Sequence, residues 1–156
     1  MRTHAEVTAE SDIQLVNLIN QQKFSDASAI IRDKNFSSEL AYLIETESDQ
    51  LDSNQAYSFC TFMLQNQKNG LLWHKLSYKS ADMLSKTKPG YKYKALHHLL
   101  KAIERDRNDW KLKEAALDFY EGGILPEKFV KPYAEIVIRM DPTNQKALMV
   151  LENEWE

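Results

Sequence analysis

Along almost the whole chain the apolar residues recur three and four positions apart, and no stretch alternates apolar and polar side chains with period two. A chain patterned this way forms amphipathic helices and offers no sheet an inner face. Four glycines and four prolines in 156 residues are also too few to punctuate an all-β fold. The fold class read from the residues is therefore all-α. The length suits one domain over residues 1–156 with a core large enough to need no staples.

The periodicity predicts eight or nine helices. The first covers about 9–21, with Ile13, Leu15, Val16 and Ile19 inward. Phe24 opens a second, carrying Ala27, Ile30 and Ile31 and ending near Asn35; a third begins after Ser37 and buries Leu40, Leu43 and Ile44. Asp52 followed by Gln55 is a capping-box pattern for the fourth. That helix is apolar nearly all round (Ala56, Tyr57, Phe59, Cys60, Phe62, Met63, Leu64), so it should sit between neighbours.

Beyond Gly70 a fifth helix spans about 71–86, turning Leu72, Trp73, Leu76, Met83 and Leu84 inward. The turn "TKPGY" separates it from a sixth, which runs to about Arg105 and buries Ala95, Leu96, Leu99, Ala102 and Ile103. The seventh is expected over about 110–121, stopping at Gly122–Gly123. Pro126 fits the first turn of the eighth, which carries Phe129, Tyr133, Ile136, Val137 and Met140 and should bend at Pro132. Asp141 and Pro142 start the ninth, with Leu148, Leu151 and Trp155 along one face. Short helices with short connections pack as antiparallel hairpins.

Two phrases, "KAIERDRND" and "IVIRMDPTN", place Asp106 and Asp141 thirty-five residues apart. The spacing resembles the tetratricopeptide repeat, whose period is about 34 residues. Ala95 and Ala102 match the family's paired small positions, and Trp73 and Leu76 its Trp-x-x-Leu. Tyr120 matches its tyrosine; Asp141, Pro142 and Asn144 match its exit; Phe24 and Ala27 match the start of another second helix. The match is concentrated in residues 71–145, whereas residues 1–70 resemble only a general α-hairpin repeat. Ser77 stands where the family prefers glycine, Lys113 where it prefers tryptophan, and Val130 and Val137 where it prefers alanine; the "KTKPG" turn carries extra residues. The resemblance implies hairpins stacked as a short right-handed solenoid, and a protein that binds extended or helical segments of other proteins on its concave face.

Signals for chemistry are poor. The glycines are scattered, so no loop can cradle phosphate, and there is no Gly-x-Ser-x-Gly elbow. Cys60 is the single cysteine, has no evident base, and is expected in the core. His97 and His98 diverge by about 100° on their helix, and no His-x-x-x-His pair exists; His74 can approach either across the hairpin. These histidines are expected at the surface or partly packed. Glu114, Asp118 and Glu121 share a helical face and are expected to be solvated. No catalytic residue, metal or cofactor is expected. The opening "MRTHAEVTAESD" lacks the apolar core of a signal peptide, and no apolar run nears the ~20 residues that span a bilayer. A cytoplasmic location without membrane association is the expectation.

Charge is unevenly distributed. Residues 1–50 hold four basic against nine acidic side chains, residues 51–100 seven lysines against Asp52 and Asp82, and residues 101–156 nine basic against twelve acidic. The middle of the chain is a basic island. On the fifth helix Lys75, Lys79 and Lys86 lie opposite Trp73 and Leu76. On the sixth, Lys94, His98, Lys101 and Arg105 form a stripe that Tyr91 extends, with Tyr78, Lys92 and Tyr93 nearby.

Lys75, Lys79, Tyr91, Lys94, His98, Lys101 and Arg105 are the candidate partner-binding residues. They suit a cationic groove for an acidic peptide, an RNA surface with lysines on phosphates and tyrosines on bases, or an ordinary solvated face. The functional expectation is a non-enzymatic protein-interaction module, an adaptor or regulator. A small inhibitor or immunity protein that occludes a toxin or enzyme is the alternative within that class, and an RNA-binding protein or an enzyme stands outside it. A monomer sealed by its last helix is expected, with Trp155 as a dimer contact if that helix is exposed.

Overall fold

The computed structural model describes residues 13–34, 40, 43–44, 50–66 and 70–154. Among them there is no strand; the fold is all-α. The helices are α1 (13–20), α2 (Phe24–Lys34), α3 (Ser53–Asn66), α4 (Gly70–Leu84), α5 (Tyr91–Arg105), α6 (Trp110–Leu117), α7 (Glu127–Met140) and α8 (Gln145–Glu154). Residues 40, 43 and 44 are also helical, where the third helix is expected; the remainder of that helix lies outside the described residues. No described helix is long and apolar enough to cross a membrane.

Local chemistry accounts for most of the boundaries. Asp52 Oδ1 accepts from the Gln55 N–H at 3.1 Å, as a capping residue should. The reciprocal half of the box is made differently: the Asp52 N–H donates to Asn20 Oδ1 at 2.8 Å, while Asn20 Nδ2 donates to the Gln50 carbonyl at 2.7 Å. A side chain at the end of α1 thus completes the cap of α3. Asp109 caps α6 by accepting from the Lys111 N–H at 3.1 Å, and Asn144 Oδ1 accepts from the Ala147 N–H at the start of α8.

Several expected boundaries and faces are corrected. Helix α4 begins at Gly70 and ends at Leu84, followed by a turn. Helix α6 ends at Leu117, four residues before the expected stop. A turn follows in which Gly122 and Gly123 adopt φ of 89° and 71°, a left-handed conformation strained for other residues. The turn lets Phe119 and Leu125 both enter the core, their backbones joined at 3.0 Å. Helix α7 spans Glu127–Met140 as expected, with Pro132 within its first two turns, where it removes one hydrogen bond. Ile13 is exposed rather than inward. In α8 the buried residues are Ala147 and Val150, with Leu151 partly buried, whereas Leu148 points outward. Trp155 lies outside the described residues.

The buried apolar side chains form two clusters. One joins α1, α2, α3, Leu40, Ile44 and the first half of α4 around Phe59, which meets Trp73 edge-on at 5.8 Å and Phe24 at 5.6 Å. The other joins the second half of α4 to α5, α6, α7 and α8 around Leu99, Val130 and Val137. Successive helices pack against each other, and side chains also tie helices two apart. Tyr57 of α3 meets Tyr91 and His98 of α5; Lys75 of α4 pairs with Asp109 at the start of α6 at 3.7 Å; Lys146 of α8 pairs with Asp118, just past α6, at 2.6 Å.

Candidate functional site

Helix α5 is the most basic helix face in the chain's middle, and its amphipathic pattern orients it. Ala95, Leu96, Leu99, Ala102 and Ile103 are buried, so Lys92, Tyr93, Lys94, His97, Glu104 and Arg105 are left in solvent. Its N-terminus has no side-chain cap and no acidic residue in the first turn. There the Lys94 ammonium stands 4.4 Å from the centre of the Tyr91 ring and 5.8 Å from that of Tyr57. The two tyrosines meet edge-on at 5.5 Å. Lys88 lies 6.0 Å from the Tyr91 ring and donates to Asn54 Oδ1 at 2.9 Å. Cations over ring faces are attracted by the ring quadrupole, so this end of α5 is a pre-organised cation–aromatic patch. Tyr93, 67 % exposed, extends it.

The predicted stripe is not continuous. Lys101 pairs with Glu104 at 3.6 Å, and Arg105 folds back toward the Lys101 carbonyl, its guanidinium against Gly70. A Cβ at Gly70 would meet Arg105 Nε at 2.7 Å, so this glycine leaves room for the arginine. On α4, Lys75 is tied to Asp109, and Lys79 is partly buried with a partner of its own. His98, expected on the exposed stripe, is buried at 6 % exposure. It is three residues from Ala95 and four from Ala102, and α3 closes over that edge of α5. A stripe read from one helix cannot register a third helix.

His98 belongs instead to a buried polar seam between α3, α4 and α5. Its Nδ1 lies 3.1 Å from His74 Nδ1, and its Nε2 lies 3.1 Å from the Tyr57 hydroxyl. Desolvation pushes both imidazoles down to about 4; Arg105 and His97 add to the effect at His74, and His74 adds to it at His98. Burial likewise raises the Tyr57 phenol. On α4, one turn from His74, Ser77 is fully buried and its Oγ has no hydrogen-bond partner. Ser80 donates to the Leu76 carbonyl at 2.9 Å and sits 3.9 Å from Cys60 Sγ. Cys60 is fully buried and its thiol is pushed up to about 12, chiefly by desolvation. That removes the thiolate on which cysteine reactivity depends.

Sequence spacing placed His74 within reach of His98 across the hairpin, but nothing in it pointed to Tyr57 or to Ser77. Among the described residues no group of three or more His, Cys, Asp or Glu side chains is arranged to hold a metal ion. The acidic face of α6 is not simply solvated: Glu114 accepts from Asn144 Nδ2 at 2.5 Å and Asp118 pairs with Lys146, while Glu121 is exposed. No protein-family model, curated protein or solved structure matches the chain.

Proposed function

We propose that this chain is a non-enzymatic protein-binding module, a tetratricopeptide-like stack of helical hairpins that docks an acidic protein segment on the basic side of α5. The observation that carries the reading is the cation–aromatic patch at Tyr57, Tyr91 and Lys94. Among the described residues no carboxylate pairs with Lys88, Lys92 or Lys94. Tyrosines that hold lysines in place lower the ordering cost of binding, and the lysines steer an anionic partner to the face. Farther along the hairpin Lys101 and Lys75 are paired with Glu104 and Asp109, so the positive charge open to a partner is concentrated at the N-terminal end of α5. The ties between helices two apart support the stacked-hairpin arrangement. The mechanism is presentation of a preformed surface; an adaptor, a regulator and an occluding inhibitor would all use it.

Affinity capture by the full chain tests the proposal against a Lys92→Glu/Lys94→Glu variant. Both lysines are exposed, so the fold should be unaffected. A protein retained by the wild type, lost by the variant and weakened at high salt supports the reading. Nuclease-sensitive RNA lost in the same way replaces it with RNA binding. Equal retention by both chains removes α5 as the docking face.

A further inference from the structure

Taking the basic side of α5 as the docking face, we infer that the buried His74–His98 pair beneath it is an acid latch. It holds α5 against α4 and, through Tyr57, against α3, and it opens when both imidazoles are protonated. The geometry fixes how many protons the closed seam can hold. With both rings neutral, one Nδ1–H donates to the other Nδ1, and the Tyr57 hydroxyl and His98 Nε2 share a second hydrogen. One added proton can be placed on the outer nitrogen of His74, with His74 Nδ1–H donating to His98 Nδ1 and His98 Nε2–H donating to Tyr57; every bond is kept. A second proton puts hydrogens on both Nδ1 atoms, which face each other at 3.1 Å. Two donors cannot share that distance, so the contact must open.

The surroundings act in the same direction. From α3 the seam is faced by Tyr57, a neutral phenol. From α4 it is faced by His74 itself, whose field His98 feels. From α5 come His97, Lys101 and Arg105, all of which disfavour charge on His74, and Glu104, which favours it. Glu104 is itself paired with Lys101. Among the described residues no carboxylate hydrogen-bonds either ring to hold a charged form in place. His74 lies on α4 between Trp73 and Leu76 of one apolar cluster, and His98 lies on α5 beside Leu99 of the other, so releasing the seam withdraws α5 from its contacts with α4. His98 sits between Lys94 and Lys101 on α5, so the segment released is the one that carries the docking face.

Amide hydrogen exchange on the full chain tests the latch, with protection in α5 compared with α7 after correction for intrinsic rates. Below the ordinary histidine range, protection of α5 should fall about tenfold per pH unit for each proton that opening takes up, while α7 holds. His74→Gln keeps a partner for His98 Nδ1 but cannot be charged, and should flatten the dependence by one proton. Should that variant fail to fold, nitrogen-15 imidazole spectra of the wild type decide: both rings neutral through about pH 6, with a through-bond or exchange-protected Nδ1–H, support the latch. His98 titrating near its ordinary value, or α5 and α7 losing protection together, overturns it. None of these measurements uses a partner, so loss of the docking reading in the capture experiment is separately visible.

Discussion

Replacing Ser77 by alanine should stabilise this protein. The Ser77 side chain is fully buried and its hydroxyl finds no partner among the described residues, on α4, which packs against both α3 and α5. Leaving a buried hydroxyl unsatisfied costs about 1–3 kcal/mol, which the substitution recovers. Alanine also has the higher intrinsic helix propensity, by roughly half a kcal/mol. Against these gains stands the loss of one buried heavy atom, whose few contacts at about 0.1–0.2 kcal/mol each amount to less than about 1 kcal/mol.

The expected net gain is about 1 kcal/mol, or about 2–4 °C in Tm for a domain of this size. Urea unfolding above pH 7, where both seam histidines are neutral in either state, measures it directly. The midpoint should rise with an unchanged slope. Ser80→Ala is the comparison, because the Ser80 hydroxyl is bonded to the Leu76 carbonyl, and its removal should bring no such gain. A loss of stability in Ser77→Ala would refute the reasoning, showing that the hydroxyl is satisfied in solution by a bound water or a neighbouring group.

Four further outcomes are expected. Because His74 and His98 are held down to about 4 in the folded chain, their contribution to stability is complete above the unfolded value of about 6.5 and is lost as pH falls toward 4. For one ring that is about 3 kcal/mol, readable from urea midpoints across the window and smaller in His98→Gln if the assignment is right. Cys60 should resist thiol reagents in the folded protein and react only through unfolding, so a fast native reaction would contradict its burial. Asn20→Ala removes both bonds that tie α1 to the start of α3 and should cost about 1–2 kcal/mol, with far smaller effect from Gln55→Ala. Ala102→Leu overfills a fully buried position in α5 and should cost about 1–3 kcal/mol; a neutral melt would show that the crossing there is loose.

Much of the local architecture is legible in the residues themselves. Helical periodicity, the Asp52 cap and the break at Pro89–Gly90 all act within a few residues, so one segment contains the information. The inward sets of α4 and α5 are recovered for the same reason: each has one wide apolar arc opposite a charged one. The first and last helices are different. Each offers two overlapping apolar arcs, one through Ile13 or Leu148 and one through Val16 or Val150, and periodicity weights them equally. The neighbouring helix selects one, and Ile13 and Leu148 are left in water.

Side chains whose role depends on a third helix escape a reading of single segments altogether. His98 looks like part of a basic stripe on α5 alone; Tyr57 and His74, forty-one and twenty-four residues away, turn it into the centre of a buried seam. Asn20 displaces Gln55 from the cap of α3 across thirty-two residues. Where helices form follows from local free energies of backbone and cap, which the residues of one segment carry, although α6 ends four residues before the stop its glycines suggest. Only the tertiary structure decided which polar groups leave water, because desolvation depends on how many elements close over one point, and no periodicity within a single helix records that number.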